Sequence, residues 1–291
     1  MNLASIESIL ACPYCSVKLD RSADGYTCST EGRAFKRSGE VPILLIDDDA
    51  RRFAASLESA GQMQAEYRPG VFSRTKSAVK RVIGSTYHLP ISPVVTAAWK
   101  SVGADLGLDV GSGASPGQPN QVNLDIAPFR GVDVVGSAEH LPFVTDSFAL
   151  VRSFAVLEHV RRPNSMIAEM LRVLRPGGYA YTEVPFLQHF HAYPDDFQRY
   201  TTEGLKEAFR DYEILEVGVC VGPSSTVTAI VADWFELFSF SQRRLVNDAL
   251  RAIPLILMLP VKYFDLLLMK NPRAHELASG IYVHARKPLR G

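Results

Sequence analysis

The chain contains 291 residues, of which 47% are hydrophobic and 21% are charged. A chain of this length can bury a full-sized core and also carry a small appended unit. The 31 lysines and arginines equal the 31 aspartates and glutamates, so the chain has no overall positive field for a phosphate backbone. The charge balance argues against a nucleic-acid partner without excluding one.

The start of the chain and its cysteines bear on the compartment. The segment Met1 to Leu10 includes Glu7 and no lysine or arginine, so it lacks the charged front of a secretory signal. Three of the four cysteines lie near the start, and Cys220 stands alone. This pattern fits thiols or a metal site better than a disulfide framework. We therefore expect a cytoplasmic protein.

Residues 1–46 are predicted to form a separate unit. Cys12 and Cys15 stand in the order CPYC, so their thiolates can grip one zinc ion, and Cys28 follows after a turn. The closing pattern comprises Phe35, Gly39 and the segment VPILL at 41–45. With this pattern, the unit resembles the zinc-ribbon modules of the tRNA-methyltransferase activator family.

The fourth thiolate of that family's pattern is missing here. Glu31 stands in its place. One interpretation is a degenerate zinc site of Cys12, Cys15 and Cys28 with Glu31 as the fourth ligand, although such a ligand set is unusual for structural zinc. The other is a ribbon held by its own small core, in which the cysteines pack as apolar residues.

Residues 47–100 are predicted to be a linker with helices. A basic cluster lies within 73–82 and consists of Arg74, Lys76, Lys80 and Arg81. Such a cluster can contact phosphate on a lipid head group, a nucleotide sugar or RNA. We prefer the simpler interpretation that it is the solvated face of a linker helix.

The main domain, residues 101–291, begins with a strand at 106–110, a loop of small residues and a second strand at 121–125. Gly111 and Gly113 let the backbone of the loop approach a ligand and take positive φ angles. Asp125 ends the second strand, where a carboxylate can accept both hydroxyls of a ribose. The pattern indicates a nucleoside-cofactor site, although a short Gly-x-Gly also fits an ordinary turn.

Further motifs follow in a fixed order along the chain. They are AEHLPF at 138–143, SFALV at 147–151, LEHV at 157–160 and RVLRPGG at 172–178. With the glycine loop and Asp125, they resemble the class I methyltransferases that use S-adenosylmethionine, of the methyltransferase type 11 kind. The resemblance covers Asp105 to Phe209. It implies an α/β fold with a Rossmann-like, seven-stranded sheet.

The remaining elements are assigned on the same basis. The predicted strands lie at 148–153, 179–184, 212–220 and 280–287, and the last of them is expected to be antiparallel. Asn164 or Ser165 is expected to cap the intervening helix, which Pro176, Gly177 and Gly178 would end.

The resemblance also implies which residues contact the cofactor. Asp125 and Ile126 would hold the ribose, and Phe154 lies at the end of the fourth strand. The amino-acid end would be held by Asp109, Gly111, Ser112 and Gly113, and the adenine by Ser137, Ala138 and Glu139. Two departures bear on cofactor affinity. The proline-containing segment 114–120 replaces the family's helix, and Ser137 replaces its common aspartate.

Glu158 and His159 follow the fourth strand, at the sheet edge where the methyl acceptor would lie. His159 is the first candidate for a general base, since its ordinary pKa lies near neutrality. Glu158 would orient it or cap a helix. The alternative is that His159 only fixes a loop near the sheet.

The loop at 185–201 is rich in aromatic, acidic and histidine side chains, which together can hold a sugar or an aromatic alcohol. It is similar to a stretch found in bacterial methyltransferases that accompany glycan biosynthesis. The substrate-binding candidates are His191, Asp195, Asp196, Arg199 and Tyr200. His191 is also the second candidate base. Two alternatives are a divalent metal on His191 and Asp195, and a structural clasp between Arg199 and one of the two aspartates.

Residues 221–279 are predicted to be an apolar, helical insertion before the last strand. Its longest uncharged run, 252–261, is too short to span a bilayer. Three roles stay open: a lid over the substrate, the surface of a homodimer, and contact with the membrane interface through 252–269. We favour the first two. The third would make the cytoplasmic protein peripheral to the inner membrane face.

Together these features predict an S-adenosylmethionine-dependent methyltransferase that methylates a hydroxyl of a small molecule, glycan or glycolipid. One alternative is an rRNA or tRNA methyltransferase, because ribosomal-RNA guanine methyltransferases also place a zinc finger before this fold. The other is a non-catalytic scaffold, since the helix after Gly113 and the fourth zinc ligand are both missing.

Overall fold

The structure is a computed structural model. It describes residues 6–49, 53–54, 57, 96–97, 99–100, 103, 105–114, 117–192, 195–240 and 243–289. The predicted basic cluster at 73–82, and most of the linker around it, lie outside the described residues.

The N-terminal unit contains four short strands connected in sequence. These are β1 (Asp20–Arg21), β2 (Gly25–Cys28), β3 (Arg33–Ser38) and β4 (Val41–Leu44), each antiparallel to the next. A 3-10 turn follows at Asp47–Asp49.

The main domain contributes seven further strands. They are β5 (Gly107–Val110), β6 (Gln121–Asp125), β7 (Val134–Gly136), β8 (Phe148–Phe154), β9 (Leu174–Pro185), β10 (Glu213–Val221) and β11 (Gly280–Arg286). Their order in the sheet is β7-β6-β5-β8-β9-β11-β10, and β11 is antiparallel to both of its neighbours. The predicted α/β, Rossmann-like sheet and its antiparallel last strand are confirmed.

The sheet is larger than predicted, because the N-terminal strands extend its edge. Strand β4 pairs in parallel with β7, with Ile43 opposite Val135 and Leu44 opposite Gly136. Eleven strands of the described chain therefore form one hydrogen-bonded sheet. Leu10 and Leu44 are fully buried in the same apolar cluster as the core of the main domain. The boundary at residue 46 stays a prediction.

The helices are α1 (Pro163–Val173), α2 (Thr202–Ala208), α3 (Pro223–Glu236), α4 (Arg244–Leu257) and α5 (Asp265–Leu268). Helix α1 begins two or three residues earlier than predicted, with Arg162 rather than Asn164 or Ser165 as its N-cap, because the fixed φ of Pro163 suits a first helical position. It also ends before the predicted stop at 176–178. Leu174 is already extended and pairs with Phe148. No helix in the described ranges is long and apolar enough to cross a membrane.

A buried ion pair ties the central strands of the sheet together. Asp109 on β5 lies opposite Arg152 on β8, and Arg152 Nη2 donates to Asp109 Oδ2 at 2.7 Å. Gln121 on β6 donates to the same Asp109 oxygen at 3.0 Å and accepts from Arg152 at 3.0 Å. The Trp99 ring lies 5.1 Å from the guanidinium carbon of Arg152. One polar network therefore spans three adjacent strands.

Removing one partner of this pair should destabilise the protein strongly. Arg152→Met would leave the Asp109 carboxylate buried without its counter-charge, which costs about 3–5 kcal/mol of the free energy of unfolding. Arg175→Met is the matched control, because the Arg175–Asp105 pair is about half exposed and such pairs contribute at most about 1 kcal/mol. Denaturant unfolding measures both. Equal losses in the two variants would contradict the expectation.

Candidate functional site

The loop after β5 depends on two glycines in different ways. Gly111 and Gly113 have φ angles of +72° and +56°. A Cβ atom on Gly111 would lie 2.3 Å from Val156 Cγ2, whereas one on Gly113 would meet no described atom within 4 Å. Gly111 therefore lets the loop rest on the segment after β8. Gly113 has no such contact among the described residues, so it needs glycine for its positive φ angle alone.

The loop is anchored on β6 by backbone hydrogen bonds. The N–H groups of Gly111 and Ser112 both donate to the carbonyl of Leu124, at 2.8 and 3.0 Å. Where the chain between β5 and β6 is described, it contains turns and no helix. This agrees with the prediction from the two prolines of this segment.

Asp125 braces the glycine loop. Its Oδ2 accepts from the Gly113 N–H at 2.8 Å, and its Oδ1 accepts from the Ala127 N–H at 3.0 Å. Burial raises the pKa of the carboxyl, against the lowering effect of these N–H groups. Each carboxylate oxygen can accept a second hydrogen bond. Binding of the ribose by Asp125 and the half-buried Ile126 stays a prediction.

The side chains predicted for the adenine also stabilise the protein's own turn. Ser137 Oγ accepts from the Glu139 N–H at 3.3 Å, and the buried Glu139 carboxylate pairs with Arg162 Nε at 2.6 Å. Ala138 between them is half-buried. Their contact with adenine stays a prediction.

The other two cofactor candidates lie in or next to the sheet core. The Asp109 carboxylate belongs to the buried network with Arg152, so it has a structural role beside the one predicted at the amino-acid end of the cofactor. Phe154 is half-buried, with its ring 5.9 Å from that of Tyr181. No role was predicted for Arg152 from the sequence. A charged residue inside the strand FALVRSF was the available signal.

Three predicted catalytic residues, Glu158, His159 and His191, come together in space. We call them the Glu158 cluster. Glu158 Oε1 lies 3.8 Å from His159 Nε2 and 3.6 Å from His191 Nε2. The two imidazole rings are 5.3 Å apart and nearly perpendicular. Residues 158 and 191 are distant in sequence, and their meeting makes one site at the carboxyl end of β8.

Hydrogen bonds hold the 185–201 loop against this site. The N–H of Phe197 donates to the carbonyl of Glu158 at 2.8 Å, and Gln198 Nε2 donates to the carbonyl of Leu157 at 2.9 Å. His159 Nδ1 is 2.6 Å from the carbonyl oxygen of Asp195. The described part of the loop is therefore held beside the Glu158 cluster by backbone contacts.

Glu158 is the most deeply buried member of the cluster. Its side chain is fully buried, and neither carboxylate oxygen accepts a hydrogen bond from another residue of the described chain. Burial raises the pKa of the carboxyl, against the lowering by its own backbone N–H and by the charges of His159 and His191. A buried carboxylate without donors is costly unless a positive group lies beside it.

Asp196 and Arg199 form the predicted clasp. Arg199 Nη2 donates to Asp196 Oδ2 at 2.7 Å, and Nη1 pairs with Oδ1. This pairing holds the pKa of the Asp196 carboxyl well below its usual range. Asp196 Oδ2 also accepts from the His191 N–H at 2.8 Å. Tyr200 is half-buried, and burial raises its pKa to about 12. The clasp thus positions His191, and binding of substrate by these residues stays a prediction.

The three N-terminal cysteines gather, but Glu31 does not join them as a ligand. The sulfur atoms of Cys12, Cys15 and Cys28 lie within 4.8 Å of one another, and those of Cys15 and Cys28 are 3.6 Å apart. Glu31 is exposed, and its backbone N–H donates to Cys28 Sγ at 3.3 Å. Three thiols fit a zinc ion, which thiolates bind well. The Glu31 carboxylate does not belong to this group of ligand atoms, and zinc binding by the three cysteines, with or without Glu31, stays a prediction.

The insertion presents a broad apolar surface. Leu237 is 76% exposed, Phe240 97% and Leu257 71%. The insertion also contacts the 185–201 loop, because His189 Nδ1 lies 2.8 Å from Asp233 Oδ2 on α3. The lid, the dimer surface and the membrane contact all stay predictions.

Comparison with known proteins finds similarity in the central part of the chain. Residues 96–182 match the family model described as a methyltransferase domain. A Mycobacterium avium protein named an uncharacterized methyltransferase is 42% identical over 78 residues, which cover 26% of this chain and 31% of the relative. A Mycobacterium marinum protein of the same name is 52% identical over 50 residues, or 17% and 20% of the two chains. The chain thus spans about a third or less of these relatives.

One solved structure with a similar fold is phosphoethanolamine N-methyltransferase 2 of Haemonchus contortus in complex with S-adenosyl-L-methionine. It is 15% identical to this chain, with a TM-score of 0.44, and the match covers 72% of this chain and 56% of that one. An overlap this limited identifies neither an acceptor nor a partner.

The two glycines of the loop should differ in their tolerance of a side chain. Gly113→Ala should cost about 1–3 kcal/mol, the strain of a left-handed conformation. Gly111→Ala should cost more, because its Cβ would also collide with Val156. The double variant Gly111→Ala/Val156→Ala removes the side chain that the new Cβ would meet. It should therefore lose less free energy of unfolding than the sum of the two single variants. Thermal and denaturant unfolding measure the wild type, Gly113→Ala, Gly111→Ala, Val156→Ala and the double variant. Strictly additive losses would show that the contact with Val156 does not constrain the loop.

Proposed function

Because this chain contains a class I methyltransferase domain, we propose that it transfers the methyl group of S-adenosylmethionine to an oxygen of a small molecule or glycan. The Glu158 cluster carries this proposal. It follows β8, and the same segment includes Val156, on which the glycine loop rests. Candidate base and candidate cofactor loop are therefore neighbours at the carboxyl end of the sheet, where open α/β sheets bind ligands.

The cofactor supplies an activated methyl group when it is bound. Two residues of this chain suit the cofactor. A side chain at Gly113 would meet no described atom within 4 Å, and the Asp125 oxygens keep acceptor capacity toward a ribose. The bracing of Gly113 by Asp125 means that the carboxylate shapes the loop even before a ligand arrives. Such preorganisation lowers the cost of ordering the loop when a ligand binds.

His159 is placed to accept the proton of the acceptor hydroxyl. Its Nδ1 faces the carbonyl of Asp195, and a carbonyl can only accept, so we assign the ring proton to Nδ1. The lone pair on Nε2 is then available as the new carbon–oxygen bond forms and the carbon–sulfur bond breaks. Glu158 stabilises the resulting imidazolium from 3.8 Å. His191 has the same relation to Glu158 and is the second candidate base.

The loop around the cluster favours a hydroxylated, ring-shaped acceptor. Phe190 is 73% exposed and Phe197 45% exposed, so aromatic faces are available for stacking beside the histidines. The Asp196–Arg199 clasp is joined to this loop through the His191 N–H, which donates to Asp196. The contact of His189 with α3 supports the lid role of the insertion, since it joins the insertion to the loop.

The scaffold hypothesis is the second candidate, and one observation favours it. Both oxygens of Asp125 already accept backbone N–H groups, an arrangement that a decayed cofactor site would also keep. Cofactor binding separates the two proposals. The RNA methyltransferase hypothesis has no comparable support, because positive and negative charges are equal in number and the chain has no overall positive field for RNA.

Calorimetric titration with the product S-adenosylhomocysteine tests the cofactor site. We expect micromolar binding that weakens at least tenfold in Asp125→Ala. Each lost hydrogen bond to a charged group costs about 1.5–3 kcal/mol. Asp133→Ala is the matched control, because Asp133 also accepts a backbone N–H, that of Asn123, without being a cofactor candidate. Absence of binding by the folded wild-type protein would favour the scaffold.

A screen of saccharide, lipid and RNA acceptors with labelled S-adenosylmethionine tests the acceptor and the base. With an acceptor that the wild type methylates, His159→Ala should lose about 10²–10⁴-fold in turnover, the usual contribution of general-base catalysis. Its affinity for S-adenosylhomocysteine should stay unchanged. His275→Ala, at an exposed histidine of the insertion, is the control. Methylation of RNA alone, or full turnover by His159→Ala, would contradict the proposal.

A further inference from the structure

We propose that the Glu158 cluster is a binding site for a divalent transition-metal ion, with Glu158, His159 and His191 as its protein ligands. The proposal concerns metal binding and stands independently of methyl transfer. Two imidazole nitrogens and one carboxylate oxygen are a ligand set that Zn²⁺ and Fe²⁺ use in open, three-ligand sites.

The separations between the ligand atoms fit such an ion. Glu158 Oε1 lies 3.6 and 3.8 Å from the two Nε2 atoms, and one ligand atom from each residue lies within 4.8 Å of the other two. Ligands at about 2.1 Å from a tetrahedral metal are about 3.4 Å apart. The two separations from Glu158 therefore exceed this spacing by only a few tenths of an ångström, and the two histidine ligand atoms lie within 4.8 Å of each other.

The second nitrogen of each ring has the partner that metal-bound histidines commonly have. His159 Nδ1 lies 2.6 Å from the carbonyl oxygen of Asp195, and His191 Nδ1 lies 3.0 Å from that of His189. Such carbonyls fix the proton on Nδ1 and turn the Nε2 lone pair toward the metal.

Arg199 Nη2 is also within 3.4 Å of His191 Nδ1. However, Arg199 Nη2 already donates to the carbonyl of His189 at 2.9 Å and to Asp196 Oδ2 at 2.7 Å. The closer carbonyl is therefore the better partner for the His191 ring.

With both protons on Nδ1, two nitrogen lone pairs and a buried carboxylate face one another. Glu158 is fully buried, and its oxygens accept no hydrogen bond from another described residue. Three acceptors at this spacing repel one another unless a positive charge lies between them. A metal ion supplies that charge to all three, whereas a single proton can bridge only two of them.

The site is open on the side of the histidines. The side chains of His159 and His191 are 15% and 30% exposed, which leaves coordination positions for water or for an oxygen of a ligand. If the proposed methyl transfer holds, the metal would bind the acceptor hydroxyl and lower its pKa. A metal ion bound to His159 Nε2 would occupy the lone pair that otherwise accepts the proton. His159 would therefore act as the general base only in the metal-free cluster.

Titration of the chelator-treated, full-length protein with Co²⁺ tests the site. Cobalt on nitrogen and oxygen ligands gives visible ligand-field bands. Binding to the N-terminal cysteines is recognised separately, because thiolate ligation adds a strong near-ultraviolet charge-transfer band. We expect one equivalent of Co²⁺ in the nitrogen and oxygen site. His191→Ala and Glu158→Gln should each weaken it at least tenfold, and Zn²⁺ should displace it.

The control variant is His189→Ala, which keeps the backbone carbonyl that accepts from His191 and should bind Co²⁺ as the wild type does. S-adenosylhomocysteine affinity and circular dichroism show that each variant is folded. Two results would overturn the proposal: wild-type protein whose bound Co²⁺ shows thiolate bands alone, and unchanged Co²⁺ affinity in both folded cluster variants. Either result leaves the methyltransferase proposal standing, since that depends on the separate cofactor titration.

Discussion

The contact between Gly111 and Val156 brings the functional parts of the molecule together. A side chain at position 111 would overlap Val156 at 2.3 Å, so the loop after β5 can rest on the segment after β8 only because glycine is there. The Glu158 cluster begins two residues beyond Val156. The absence of a Cβ atom at Gly111 thus lets the candidate cofactor loop lie close to the candidate reacting groups. The sheet that carries both is stabilised by the buried Asp109–Arg152 pair.

Local patterns predicted the sheet well because each strand carries its own signal. The apolar runs at 106–110 and 121–125 end at a glycine loop and at Asp125, and the observed strands end at the same places. The predicted N-cap of α1 was wrong. The fixed φ of Pro163 favours the first helical position more strongly than Asn164 and Ser165 favour the cap position. The parallel pairing of β4 with β7 was not predicted, since pairing between distant segments leaves no local pattern in sequence.

The site was predictable in its members and not in its geometry. Glu158, His159 and His191 were identified from their motifs, but their convergence depends on backbone hydrogen bonds from Phe197 and Gln198. Such bonds involve groups that every residue carries, so residue identity does not reveal them. The engagement of Asp125 with Gly113 was hidden for the same reason. Sequence named the carboxylates, and only the structure shows which of them already have partners.

The pairing of β4 with β7 also has a consequence for how the sheet ends. Without β4, one side of β7 would present unpaired N–H and C=O groups, and exposed strand edges of this kind recruit other chains. The N-terminal strands cover that edge, and β1, with two residues, leaves only a very short outer strand. The N-terminal unit therefore protects the β7 edge of the sheet from pairing with another chain, whether or not its cysteines bind a metal. Loss of this unit would expose the β7 edge and favour association between chains.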